Sequence, residues 1–549
     1  MILNGDEKMK STHKILFPLL LCGLLCGCTT TPQQSAQESE SKAESQPKSE
    51  TPLPEVEILP AVGPEMPTLA INTVSRDPDI MDFVTKPVAR HVAEAIASWT
   101  PGYVIPPEPY YETCQVYLTE MKDSGLPVPA EAEVKVRGNW TTTYDKKPLR
   151  IKFTEKQNLG GLHDGEAFRN WLLLAGYKDG SLLRDKAALQ MARGILGPDG
   201  LYAADAKLTE VTVNGEYWGV YLLTEPNSVN DARIALTEPE EGYTGTDIGY
   251  LLEFDGYFFN EDDLHQFHVD YADNAPLKPY DGNDGSGKTI TCLPKGMFDE
   301  KQDVGMSIKS DIYSKEQHDF IADYVNNVYR ILYSAAYEDK AYQFNADYTK
   351  IEETGDLTPQ QAVEQAINVD SLADAYLIAE LTCDADIYWS SFYMDADFGA
   401  DGDKKLTFEA PWDFDSSMGN KDRCADGTGF YAGNIVPDVD GVRYETCNPW
   451  LTVLMYEDWF QDLIREKWTK AYDSGLFKDT IDQIRTDTKT CQEAFKRNYK
   501  KWNNLIDNES FANELAPKSK LCKTHEAAAE YLTDWLEKRV AFLNDAWHS

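Results

Sequence analysis

Asp413 and Asp415 stand two apart in "LTFEAPWDFDSSMGN" (Leu406–Asn420), directly behind an apolar, Phe-bearing run, with Gly419 four residues on. Asp386 stands in "CDADIYW", at the end of another apolar stretch. Carboxylates at the ends of buried segments suit a hard cation such as Mg²⁺, which takes one or two carboxylates and fills its remaining positions with water and phosphate oxygens. A second set of charges has the opposite sign. Arg137, Lys147, Arg150, Lys152 and Arg184 cluster in the first third of the chain. Guanidinium and ammonium groups on rigid elements suit the oxygens of a polyphosphate. Anchored phosphates, a neutralising cation and a carboxylate that orients an acceptor hydroxyl are the parts phosphoryl transfer requires. Neither a Walker A motif nor G-x-G-x-x-G occurs. The competing reading of the same charges is a set of structural ion pairs and turn caps.

The elements that must carry these residues differ along the chain. "MPTLAINTV", "CQVYLTE", "AEVKVRGNW" and "LRIKF" alternate apolar and polar residues and predict strands. In "LRIKF", Leu149, Ile151 and Phe153 share one face and Arg150 and Lys152 the other, a basic face on an acidic protein. "FVTKPVARHVAEAIASW" has helical spacing, "NWLLLAG" predicts a strand, and the following segment a helix from about Ser181 to Gly194 or Gly197. "KLTEVTVNGEYWGVYLLTEP" predicts a hairpin turning at Asn214-Gly215 and delivering Glu225 at its end. "GYLLEFDGYF" predicts a further strand, and residues 260–310 read as a long insertion. Beyond about residue 315 helical periodicity dominates, interrupted by a hairpin with a polar tip that ends in the Asp413 segment. The expected fold is α+β, with a strand-rich lobe over 66–310 and a helical lobe over 311–549.

Composition narrows the partners. The chain has 549 residues, 42% of them hydrophobic, enough for more than one packed core. It carries 92 Asp and Glu against 52 Lys and Arg, a net charge of −40, which argues against nucleic acid as a partner. Residues 1–27 read as a signal peptide: Lys8, Lys10 and Lys14 precede an apolar run too short to span a membrane. Leu25-Cys26-Gly27-Cys28 resembles a lipobox, which implies cleavage before Cys28, lipidation of its thiol and anchorage to the extracytoplasmic face of a bacterial membrane. The Ser/Glu/Pro-rich stretch 28–65 reads as a flexible tether. Of the ten cysteines, removing Cys22 and Cys26 with the signal and Cys28 with the lipid leaves seven. Proximity in sequence suggests Cys424 with Cys447 and Cys491 with Cys522 as disulfides. No zinc-ligand spacing is present.

Six segments together resemble the CotH family of spore-coat H-type secreted protein kinases. They are "VRGNWTTTYDKKPLRIKF" (Val136–Phe153), "NWLLLAGYKDGSLLRDKAALQMAR" (Asn170–Arg193), "VNGEYWGVYLLTE" (Val213–Glu225), "GYLLEFD" (Gly249–Asp255), "AELTCDADIYWSSFYMD" (Ala379–Asp395) and "KLTFEAPWDFDSSMG" (Lys405–Gly419), in family order. The resemblance implies a divergent kinase-like fold that uses ATP and Mg²⁺ or Mn²⁺ to phosphorylate Ser or Thr of a secreted protein, here one of basic, Ser-rich character. It implies Asp413 as the metal aspartate, with Asp415 and Ser391 as further ligands, Ser391 standing where the family commonly has Asn. It implies Asp386 as the carboxylate that orients the acceptor. Lys152 is the expected phosphate lysine, with Lys147 its rival. Arg137, Arg184 and Glu225 are expected to line the pocket, Glu225 by holding a lysine in an ion pair. Nucleotidyl transfer on the same scaffold and a non-catalytic surface module are the alternatives.

Overall fold

Alternation of small polar and branched apolar residues drives the first half of the chain into strands, and the strands close on themselves. In the computed structural model, β1 (Thr68–Thr73), β2 (Glu112–Thr119), β3 (Leu126–Val136), β4 (Leu149–Gln157), β5 (Phe168–Leu174), β6 (Ala206–Val213) and β7 (Glu216–Thr224) form a closed barrel in the order β1-β2-β3-β4-β5-β7-β6. The model describes residues 56–548 apart from short stretches, the longest being 75–86, 282–290, 296–303 and 436–446. The expected signal peptide, Cys28 and most of the tether lie outside the described residues, as does Cys424. The described end of the tether rests on the barrel: Leu59 N donates to the Tyr117 hydroxyl, and Glu65 pairs with Arg497.

Neighbouring strands are antiparallel except where β1 meets β6 in parallel and shuts the barrel. Inward residues such as Leu69, Val116, Val134, Ile151, Trp171 and Val211 are fully buried. The period of two then sends Arg150 and Lys152 outward. Asn214 and Gly215 both take positive φ, 52° and 83°, as a two-residue turn matched to strand twist requires.

A second sheet runs in the order β11-β8-β10-β9, built from β8 (Gly249–Asp255), β9 (Gln266–Phe267), β10 (Gly305–Ile308) and β11 (Phe392–Asp397). Two expectations change here. Residues 260–310 are not only insertion, since β9 and β10 lie among them. The anticipated hairpin around residue 400 is present, with Asp395 and Thr407 bridging and Lys404 N donating to Asp397 O, but its first arm, β11, also joins a sheet by pairing along its length with β8. A sheet joining residues 249–308 to 392–397 crosses the expected lobe boundary at 310. The α+β content is as expected, but the strand-rich half is a closed barrel, unlike the N-terminal lobe of a bilobal kinase.

Helices pack around these sheets: α1 (Arg90–Trp99), α2 (Arg184–Leu196), α3 (Lys315–Glu338), α4 (Pro359–Ala366), α5 (Val369–Thr382), α6 (Asp458–Asp473), α7 (Leu476–Thr490), α8 (Gln492–Trp502) and α9 (His525–Trp547). Ser314 and Thr358 open α3 and α4 with reciprocal capping boxes. A large apolar core joins α2, α3 and α5 to the second sheet, and a smaller one fills the barrel. None of the described helices is long and apolar enough to cross a membrane. Cys491 and Cys522 are separate thiols, donating to the carbonyls of Glu65 and of Lys518 and Ala527 respectively. The described neighbour of the Cys447 thiol is Cys292.

Candidate active site

The turn that carries the paired aspartates is held from two sides. On one side lies the segment between β5 and α2. Asp179 caps the start of α2 by accepting from the backbone N–H groups of Ser181, Leu183 and Arg184. It also pairs with the buried guanidinium of Arg184. That guanidinium donates onward to the carbonyls of Ser417 and Met418, 3.2 and 3.4 Å away. One residue on, Asp185 accepts from Phe414 N at 2.8 Å. On the other side is the end of α5, where Met418 N donates to Thr382 O. Pinned at both flanks, the turn holds Asp413 at φ +71° and Met418 at φ +46°. Asp413 lacks glycine's freedom there, and such strain persists only where the surroundings over-determine it.

Charge gathers at this turn. Burial pushes the carboxyl of Asp413 up to about 7, with Asp386 and Asp415 adding to the effect and Lys178 and Arg137 opposing it. Asp185 and Asp384 are driven well above the usual carboxylate range, chiefly by burial and then by these same aspartates. Asp386 follows the end of α5, its backbone N–H given to Asp384 Oδ1. Asp415 is buried and faces Lys178, with Nζ 3.3 Å from Oδ1; Lys178 also donates to Ser416 Oγ at 2.6 Å and lies 3.6 Å from Glu514. Burial alone would lower the Lys178 ammonium, but Asp415, Tyr144, Asp386 and Glu514 raise it, so it is charged.

The barrel reaches the same place through Arg137. This residue follows β3, lies over the Trp412 ring at 5.8 Å and feels Asp413 as its strongest neighbouring charge. A small cleft opens alongside, lined by Asp384, Ile387, Ser391, Tyr393, Glu409 and Trp412 among others. Ser391 sits at φ +61° and is fixed by its backbone N–H to Glu253 of β8. Glu253 in turn meets Lys309, which also contacts Asp255 and Glu261.

The structure thus brings together Asp386, Asp413, Asp415 and Arg137, while Ser391 lines the cleft beside Trp412. Arg184 stands beneath them, buried in an ion pair and spent on backbone carbonyls. Three expected residues are elsewhere. Lys147 donates to Thr142 O within its own turn. Lys152 lies on the outer barrel face opposite Glu133 and Asn170, one pleat of about 7 Å beyond Arg150 from the Arg137 end of the strand. Glu225 holds no lysine: its buried carboxylate pairs with Arg233 at 3.0 Å and meets His163 at 2.9 Å. Sequence reasoning passed over Lys178, Asp185 and Asp384, although "YKDGSLLRD" sets Lys178 and Asp185 on either side of a helix start and Asp384 stands two residues before Asp386.

Residues 134–543 match the family described as CotH kinase protein. The chain belongs to the CotH kinase family. No curated protein matches it. The CotH match covers the end of β3, β4 to β7, the second sheet and α2 to most of α9, so every residue of the aspartate turn and its supports lies inside it. A kinase family implies a nucleotide and a divalent cation. Among the described residues no three His, Cys, Asp or Glu side chains form a metal cage. The donor set nonetheless suits Mg²⁺, which needs only one or two carboxylates. Asp413, its carboxyl raised by burial and by two neighbouring carboxylates, is the position whose charge a cation would offset best.

Proposed function

We propose that this CotH kinase is an ATP- and Mg²⁺-dependent protein kinase that phosphorylates Ser or Thr of secreted or surface proteins, and that lipidated Cys28 anchors it to the extracytoplasmic face of a bacterial membrane. One observation carries the catalytic part: the strained turn of Asp413 and Asp415 lies within electrostatic reach of Asp386, from the end of α5, and of the two cations Lys178 and Arg137. In this reading Asp413 and Asp386 hold the cation, which would supply charge neutralisation at the phosphates. Arg137 and Lys178, rather than Lys147 or Lys152, meet the triphosphate oxygens. Asp386 orients the acceptor hydroxyl. The hydroxyl oxygen bonds to the γ-phosphorus, the bond to the β,γ-bridging oxygen breaks, ADP leaves, and the hydroxyl proton passes to the Asp386 carboxylate. Arg184 and Asp179 act through the backbone, fixing where the turn presents its aspartates.

The test is labelling of the purified chain and of a basic, Ser-rich peptide with γ-labelled ATP and Mg²⁺. Labelling by wild type and none by Asp413→Ala is expected. Equal labelling by both ends this reading. Intact mass distinguishes an added phosphoryl group from a nucleotidyl group. The loss of any Mg²⁺-nucleotide thermal shift in wild type would favour a non-catalytic surface module.

A further inference from the structure

Cys292 and Cys447 are 155 residues apart in sequence, yet their sulfurs lie 2.9 Å from each other. Both side chains are buried, 2% and 1% exposed. Each is held by its backbone surroundings. Cys292 exchanges two hydrogen bonds with Leu277, of 2.9 and 3.1 Å, so its strand-like segment cannot slide. Cys447 precedes Asn448, whose side chain caps the turn beginning at Pro449 by accepting from Trp450 and Leu451 N–H. Tyr329 and Tyr337 of α3 lie near both sulfurs.

We propose that Cys292 and Cys447 form an intramolecular disulfide that staples the paired Leu277 and Cys292 backbones to the loop supporting the active site. The chemistry is thiol–disulfide exchange with a small-molecule disulfide or a disulfide-bearing oxidoreductase of an oxidising compartment. Each cysteine gives up one hydrogen, the sulfur–sulfur bond of the oxidant breaks as the protein's forms, and two thiols of the oxidant are released. Because the pair is buried, the bond forms before the core closes and is afterwards shielded from external thiolates. Its functional reach runs through the next residue: Asn448 Nδ2 donates to Ile387 O at 2.7 Å, directly after Asp386. The bridge therefore also restrains the chain that presents the acceptor-orienting carboxylate. It replaces the pairing of Cys447 with Cys424 suggested by sequence proximity.

The test is thiol mapping of the full chain, refolded with oxidised glutathione, alkylated under denaturing conditions and digested without reduction. The expected result is a linked pair of peptides containing Cys292 and Cys447, with Cys491 and Cys522 alkylated. Alkylation of both Cys292 and Cys447, or linkage of Cys447 to Cys424, overturns the proposal. A second measurement is thermal unfolding with and without a phosphine reductant. The Tm of wild type falls on reduction, whereas C292S/C447S is insensitive to it; equal responses of the two proteins likewise overturn the proposal. Neither readout involves phosphoryl transfer or the site of anchorage, so failure here leaves the kinase reading standing, and the reverse holds too.

Discussion

Lys178 reaches Asp415 across two elements far apart in sequence, its ammonium 3.3 Å from the carboxylate and both side chains about nine-tenths buried. The pair gives Asp415 a fixed ionic partner, whereas burial and the neighbouring carboxylates outweigh Lys178 and Arg137 at Asp413 and hold its carboxyl up at about 7. That division of labour is not visible in "WDFD", where the two acids look equivalent. It also places a cation within the electrostatic reach of Asp386 and Asp413 at once.

Breaking a buried pair from one side leaves an uncompensated charge. Lys178→Met and Asp415→Asn are each expected to destabilise the protein by about 3–5 kcal/mol. The double variant should lose clearly less than the sum, because neither charge is then stranded. Urea denaturation of the four proteins measures the coupling. Additive losses would mean that the two side chains do not interact in solution.

Arg184 offers a test of positioning without removal of charge. Arg184→Lys keeps one positive charge beside Asp179 but cannot span Asp179, Ser417 O and Met418 O with a single flat fork. A stability loss of about 1.5–3 kcal/mol is expected from the broken charge-assisted bonds. Labelling should fall further than stability alone explains, since the turn that presents Asp413 is released. An unchanged rate at a temperature where the variant remains folded would show that the turn does not depend on this anchor.

Much of the scaffold was legible before any coordinates. Alternation in "LRIKF" and "VTVNGEYWGVYLL" marks strands and assigns their inward faces, because a period of two is a local property. Closure was not legible, since the parallel pairing of β1 with β6 joins Thr68 to Glu210 across a long stretch of chain. The site divides in the same way. Asp386 and Asp413 stand out because acids at the ends of apolar runs are unusual locally. Their counter-ions are fixed by tertiary packing: Lys152 looked right on its strand but lies on the outer barrel face, and Lys178 sits in an unpatterned loop. Glu225 stands at the end of its strand as the sequence suggests, but its partner is Arg233, in a segment with no periodic signal, and not a lysine.

Glu409 and Asp395 give the molecule a pH dependence whose sign follows from their surroundings. Burial raises Glu409 from 4.5 to about 7, opposed by the Tyr202 backbone N–H, and Asp395 beside it is raised still more strongly. The folded state therefore binds protons more tightly than the unfolded chain. The stabilisation from Glu409 is complete below about pH 4.5 and is lost as pH rises through about 7. Glu409→Gln imitates the protonated form, keeps an acceptor for Tyr202 N–H and a donor for Asp395, and is expected to flatten the fall of Tm between those values. Parallel Tm profiles for wild type and variant would exclude Glu409 as the titrating group.

Asp413→Asn separates a catalytic carboxylate from a structural one. A structural acid loses stability when neutralised, because its partner is stranded. Asp413 is different: its neighbours Asp386 and Asp415 repel it, burial opposes its charge, and its backbone is held at φ +71°. Asparagine removes the repulsion and tolerates the left-handed region better than most residues. The expected outcome is a Tm equal to or above that of wild type, together with loss of Mg²⁺-dependent nucleotide stabilisation and of labelling. That opposition of gain and loss is the signature of a residue kept for chemistry at a cost in stability. A variant that loses Tm and retains the Mg²⁺-nucleotide shift would instead make Asp413 a support of the turn and move the cation site to Asp386 and its neighbours.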